Sequence, residues 1–309
     1  MAGIHPFKPI PRLSRLLMSE ALILFSHGSL LCGAGEQLKA HAARLGETGK
    51  YACVEIGYLN YSEPSFAEAV EKCVGVGATC ITIAPYFLVP GYFVNVGLPR
   101  VLKPEQERFP DVEFRIAPVL GDHPLLADAV LSCAGRAASS ESWRLILHSA
   151  PQFCEGDDDC PLFEKCSHSE TLPVVSKAVS IQSPPSSDAA ALLLMVHGSP
   201  NPESNADVFR VAELIRQKQR FAAVTVAFMD CNEPDIPTAI DSLVESGVQS
   251  ITAVPFFLHA GKHVADDLPT VLEEAQEKYP VVEFLLGDYL GCEPLVAKVL
   301  QERLLELPR

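Results

Sequence analysis

Pro255-Phe-Phe-Leu-His-Ala-Gly261-Lys-His263-Val-Ala-Asp-Asp267-Leu-Pro269 restates, 170 positions later, the stretch Pro85-Tyr-Phe-Leu-Val-Pro-Gly91-Tyr-Phe93-Val-Asn-Val-Gly97-Leu-Pro99. Between positions 81–102 and 251–272, 11 of 22 residues are identical. The same offset carries His27-Gly28-Ser29 onto His197-Gly198-Ser199, Glu63-Pro64 onto Glu233-Pro234, and Gly121 and Pro124 onto Gly291 and Pro294. A chain that repeats itself without a gap over this length is two copies of one domain. Differences between the copies then read as a natural mutation series. The sharpest difference puts Phe93 where the second copy has His263.

Around these landmarks each copy alternates strands with helices. In the first, strands are expected at 22–26, 53–58, 79–84 and 112–116, with helices at 33–45, 65–74, 98–108 and 125–136. In the second, strands are expected at 192–196, 224–228, 250–254 and 282–286, with helices at 206–217, 236–246, 268–278 and 295–305. Short continuous apolar runs such as Leu22-Ile-Leu-Phe25 fit strands buried on both faces. The expected fold is therefore α/β: two tandem copies of a parallel four-stranded sheet with helices on both faces. Ligands of such open sheets bind beyond the carboxyl ends of the strands.

Four segments follow: an extension over 1–20, a first repeat over 21–137, a linker over 138–188 and a second repeat over 189–309. The extension's first 17 residues carry Lys8, Arg12 and Arg15 without an acid, but have neither an apolar core nor a serine-rich amphipathic run. Met18-Ser19-Glu20 reads as an alternative start behind an unstructured leader. In the linker, positions 143–147 are expected to add a short edge strand. Cys154, Cys160 and Cys166 stand six apart there, near His148 and His168. Three thiols and two imidazoles are potential ligands for a metal or an Fe–S cluster. Their spacing matches no known ligand pattern, so a loop that merely contains cysteines is favoured.

At 309 residues, 48% hydrophobic and 20% charged, the chain reads as an ordinary soluble protein with room for two cores. The longest apolar run, 189–196, is far short of the roughly 20 residues that span a bilayer. Scattered cysteines without a disulfide framework place the chain in a reducing cytoplasm. A net charge of −15 argues against nucleic acid as a partner.

His197 follows a buried strand at the ligand-binding edge, with Gly198 for the turn and Ser199 as a cap for the loop or helix. His263 sits above the end of the third strand, with Asp266 or Asp267 placed to take its second ring proton, as metal-bound imidazoles usually require. Two imidazoles suit a borderline divalent ion such as Co²⁺, Fe²⁺ or Ni²⁺. Glu233 brings a carboxylate to the same edge, with helix capping as its competing role. His259 is matched by Val89 and is read as peripheral.

Strand–His-Gly-Ser, then Glu-Pro, then Pro-Phe-Phe-Leu…Gly-Lys-His-Val…Asp-Leu-Pro resembles the sirohydrochlorin chelatase family, the class II chelatases of cobalamin and siroheme synthesis, in its long two-domain CbiX-like form. The resemblance covers both repeats, about 240 residues by inspection of motif spacing. It implies insertion of Co²⁺ or Fe²⁺ into sirohydrochlorin, with His197 and His263 as the metal-binding, catalytic residues. On that reading these two imidazoles also take up protons, and Glu233 relays them or completes coordination. Lys262 would meet the substrate's carboxylates, with Arg100 and Arg210 as weaker candidates. The first copy departs from the pattern at Phe93 and Gly97, which makes it metal-incompetent by itself. Its Tyr86, Tyr92 and Phe93 are expected to wall a cleft for the flat macrocycle, with His27 facing the shared cavity. Ser199 and His27 complete the expected substrate contacts. A monomer is expected, its repeats standing in for a dimer. The competing readings are a non-catalytic carrier of metal or tetrapyrrole and a two-lobed binding protein for another ligand.

Overall fold

The computed structural model describes residues 20–29, 35–140, 143 and 189–307. The extension and the linker segment bearing Cys154, Cys160, Cys166, His148 and His168 lie outside the described residues. The first repeat runs β1 (Glu20–Ser26), α1 (Glu36–Glu47), β2 (Val54–Tyr58), α2 (Phe66–Gly75), β3 (Cys80–Pro85), α3 (Leu98–Arg108), β4 (Glu113–Ile116) and α4 (Pro124–Ala134). The second runs β5 (Ala190–Val196), α5 (Ala206–Gln217), β6 (Ala223–Phe228), α6 (Ile236–Glu245), β7 (Ser250–Pro255), α7 (Leu268–Lys278), β8 (Glu283–Leu286) and α8 (Leu295–Leu305).

Each repeat forms its own parallel sheet, ordered β2-β1-β3-β4 and β6-β5-β7-β8. The central strands β1 and β5 carry the period of two that a doubly covered sheet requires. Leu22 and Leu24 point into one core while Ala21, Ile23 and Phe25 point into another. In β5, Leu192 and Leu194 face the first of these cores, and Ala191, Leu193 and Met195 face a third. The core that receives Leu22 and Leu192 alike also takes Leu38 of α1, Val130 of α4, Val211 of α5 and Val299 of α8. The repeats thus share one hydrophobic interior across their facing helices, and each keeps a private core on its outer side. A polar seam borders the shared one. Arg303 donates to the Leu120 carbonyl at 2.9 Å and pairs with Asp122, while Lys218 reaches Asp128 at 2.7 Å.

Local sequence explains the element ends. Ser65 and Glu68 close a reciprocal capping box at the start of α2, and Asp235 caps α6 by accepting from Thr238 N. Pro99 and Pro269 sit in the first turn of α3 and α7, where no amide hydrogen is needed. The edge strand expected over 143–147 fails at its first residue, and 144–147 lie outside the described residues. Trp143 is helical rather than extended, fully buried, and donates its indole N–H to the Ala138 carbonyl at 2.7 Å. The strand-like contact at the sheet edge is instead a single antiparallel bridge from Ala138 to Leu286. A large aromatic ring gains more by burial against the second repeat's private core than by lying along an edge.

Candidate metal centre

His197 is fixed by backbone pairing that outlasts its strand. Met229 N donates to the Val196 carbonyl at 2.8 Å, and Asp230 N donates to the His197 carbonyl at 3.0 Å. The chain then turns sharply at Gly198, whose φ of +96° and proximity to the Asp230 carbonyl leave no room for a Cβ. Ser199 N donates to Asn232 Oδ1 at 2.7 Å, and Ser199 Oγ accepts from Asn201 N at 3.2 Å. The imidazole therefore stands on a braced turn at the carboxyl edge of the sheet. Ser199 acts as a loop cap, and Asn232 is a bracing residue that the sequence reading missed. Its match in the first copy is Ser62, which accepts from Ser29 N at 2.9 Å.

His263 opens a π-helical turn, His263–Asp267, that runs directly into α7. This wider turn, frequent at functional sites, lets the i and i+4 side chains meet closely. His263 Nδ1 lies 2.7 Å from Asp267 Oδ2. A carboxylate accepts, so Nδ1 carries the proton and Nε2 keeps its lone pair. Asp267, rather than Asp266, is the orienting acid. His197 Nδ1 faces the Gly198 carbonyl at 3.4 Å, a longer contact with the same polarity. The two rings lie 5.1 Å apart at 75°, within reach of one cation between them. Phe257 backs His263 at 6.4 Å.

Among the described residues no set of three or more His, Cys, Asp or Glu side chains converges as a metal cage. Two imidazoles alone leave coordination positions open, as a site that passes its ion onward requires and a closed structural site does not. Glu233 turns toward the entrance of α6, where its carboxylate accepts from Asp235 N at 3.2 Å. Lys262 is 72% exposed, with its ammonium 3.9 Å from Asp267. Arg210 is committed to Asp207 and Asp122 at the seam between the repeats, and Arg100 is exposed on α3.

The first copy builds the same turn with different chemistry. Phe93–Gly97 is also π-helical, but the Phe93 ring packs 4.2 Å from His27 where a second imidazole would stand. Gly97 supplies no carboxylate. Tyr92, 64% exposed, lies edge-on to Phe93, and Tyr61 lies 5.5 Å from His27 on its other side. Tyr61 takes a positive φ, as does its counterpart Cys231. His27 Nδ1 lies 2.9 Å from the Gly28 carbonyl.

The copies meet at an apolar cavity of about 190 Å³ lined by His27, Tyr86, Phe87, His197, Phe256 and His259, among others. His27 and His197 thus open onto the same space, one from each repeat. At its floor His259 Nε2 lies 3.0 Å from Ser26 Oγ, tying the second repeat's loop to the first repeat's central strand. His259 is structural here as well as cavity-lining, a role its mismatch with Val89 concealed. Tyr86 meets His259 edge-on at 5.3 Å, and the buried His41 lies tilted against Tyr86 at 5.7 Å.

A family model described as CbiX matches residues 21–137 and 191–307. A sirohydrochlorin cobaltochelatase of Priestia megaterium is 22% identical over 250 residues, 81% of this chain and 68% of its own length. A sirohydrochlorin ferrochelatase of the same organism is 20% identical over 287 residues, 92% of this chain and 89% of its own length. In fold the chain is similar to SirB from Bacillus subtilis, solved with Fe³⁺, at a TM-score of 0.69 and 20% identity, covering 94% of this chain and 95% of that one.

Proposed function

The chain belongs to the CbiX family, and we propose that it inserts a divalent cation, Co²⁺ or Fe²⁺, into sirohydrochlorin. The observation that carries this reading is the pair His197 and His263, 5.1 Å apart, each with its Nδ1 proton directed to an oxygen acceptor. Both Nε2 lone pairs are then available to one cation. Asp267 fixes the orientation of the His263 ring, the usual role of a carboxylate behind a ligating imidazole. The ion is substrate rather than resident cofactor, and the open coordination positions let pyrrole nitrogens replace water and imidazole in turn.

Insertion exchanges two pyrrole N–H protons for one ion. The apolar walls of the shared cavity suit a flat conjugated ring, and Phe93, packed on the cavity-lining His27, carries Tyr92 edge-on against it. Lys262, exposed beside His263, offers a cation to the ring's peripheral carboxylates, with Ser199 beside His197. Glu233 contributes to the helix entrance rather than to coordination in this arrangement. The cleft is built from both halves of one chain, which supports a monomer as the working unit. The net charge of −15 disfavours nucleic acid. Among the described residues no helix is long and apolar enough to cross a membrane. Six free thiols there fit a reducing cytoplasm.

The test is absorbance of sirohydrochlorin mixed with catalytic amounts of protein and Co²⁺, Fe²⁺ or Ni²⁺ in turn. Many equivalents of metallated product per chain are expected with at least one of Co²⁺ and Fe²⁺. A spectral change that stops at one equivalent would make the protein a carrier instead.

A further inference from the structure

We infer that the first repeat, having lost its second imidazole, supplies the base for the reaction: His27 accepts a pyrrole proton from the face of the ring opposite the metal. This rests on the metal-insertion reading above. The cavity is lined by His197 from the second repeat and by His27 from the first, so a flat ring lying between them would present one face to each. While His197 and His263 hold the ion, their Nε2 lone pairs are occupied and accept no proton. A pyrrole N–H pointing at the incoming ion would also block it, because the nitrogen lone pair and the proton compete for one direction. The first proton must therefore leave toward the far wall.

His27 is arranged to receive it. The Gly28 carbonyl 2.9 Å from Nδ1 can only accept, so Nδ1 is protonated and Nε2 is the basic atom. Phe93 at 4.2 Å and Tyr61 at 5.5 Å hold the ring on two sides. Replacing the second imidazole by Phe93 removes a competing metal ligand, which would otherwise trap the cation on the wrong wall. His259 also lines the cavity, but its Nε2 is engaged by Ser26 Oγ and it belongs to the repeat that carries the metal pair.

The balance is simple. The first ring N–H bond breaks, its electron pair stays on nitrogen for the ion, and the proton goes to His27 Nε2. As the ion moves into the ring, the imidazoles it leaves regain their lone pairs, and one of them takes the second proton. Both protons then pass to water from the open side of the cleft.

The experiment compares the full chain with its His27→Ala and His27→Gln variants, using sirohydrochlorin and Co²⁺. Both variants are expected to lose roughly 10²–10⁴-fold in kcat, with KM and Co²⁺ affinity changed less than about threefold. The base 2,6-lutidine, too hindered to coordinate the metal well, should restore part of the His27→Ala rate. Unchanged kcat, a loss confined to KM, or failure of lutidine to restore any rate would overturn the assignment. Wild-type protein that inserts none of the three metals would overturn the metal-insertion reading itself, and His27 as its base with it.

Discussion

Phe93 and His263 hold the same place in two copies of one π-helical turn, and each packs on the histidine that follows the first strand of its own repeat. The centroid separations are 4.2 Å to His27 and 5.1 Å to His197. Within this common frame Phe93 replaces the second imidazole and Gly97 replaces its orienting carboxylate. The second copy has two nitrogens for a cation, whereas the first has one nitrogen held between aromatic rings.

Replacing His263 by Ala should abolish metal insertion while leaving the fold intact. The side chain is 44% exposed and fills no core space, so the stability cost should stay within about 0.5 kcal/mol. Parallel thermal melts and insertion assays check both halves; undiminished insertion would remove His263 from the site.

Asp267→Asn keeps the shape of the acid but lets the amide present either an N–H or a carbonyl to His263 Nδ1. Loss of the fixed ring polarity should cost roughly 10–100-fold in metal affinity or activity. The same change at Asp266 should cost far less, since the 2.7 Å contact belongs to Asp267. Co²⁺ titration of the two variants side by side makes the comparison.

The first repeat should be convertible. Phe93→His with Gly97→Asp rebuilds the imidazole–carboxylate pair at positions four apart in a turn that already has π geometry. The new Cβ at Gly97 meets the flexible end of Leu59 at 2.9 Å and the Tyr92 carbonyl at an ordinary 3.9 Å. Equilibrium dialysis should find one additional Co²⁺ per chain in the double variant, and no increase in Phe93→His alone if the carboxylate is needed to orient the ring.

Much of this was legible in the sequence because the duplication made each motif testable against its copy. The two sheets, His197 and His263, and the aromatic replacement at Phe93 all follow from residue types at matched positions. The π turn did not, because one extra residue per turn leaves no mark in an apolar period when the segment is only five residues long. Nor did the shared core. The apolar α4 and the amphipathic α5 announce buried faces but not that those faces meet helices of the other copy. Glu233 could equally have faced the histidines or the helix entrance, and only the chain path through Asp235 decides between them. The bridge from Ser26 to His259 spans 233 positions and has no counterpart in the other copy.

Gly198→Ala should damage both stability and activity. Its φ of +96° and the Asp230 carbonyl beside it force the turn to open, at a cost on the order of 2 kcal/mol, and carry His197 away from its partner. A lowered urea midpoint together with lost insertion is the expected result.

His41 should make stability depend on pH. Burial, reinforced by Arg44, pushes its imidazole down from the usual 6.5 to about 4. Between those values the unfolded chain binds a proton that the folded one excludes, so its contribution is full above about pH 6.5 and is lost as pH falls toward 4. From pH 7 to pH 5 the loss should be roughly 2 kcal/mol. His41→Gln should flatten that slope, which urea denaturation at the two pH values would show.

The central claim is that the Nε2 atoms of His197 and His263 share one divalent ion. Crystals grown with Co²⁺ and measured at its absorption edge test it most directly. The account predicts one anomalous peak between the two rings, about 2.0–2.2 Å from each Nε2, with no peak at His27. A peak bound at His27, or one that touches neither His197 nor His263, would contradict it.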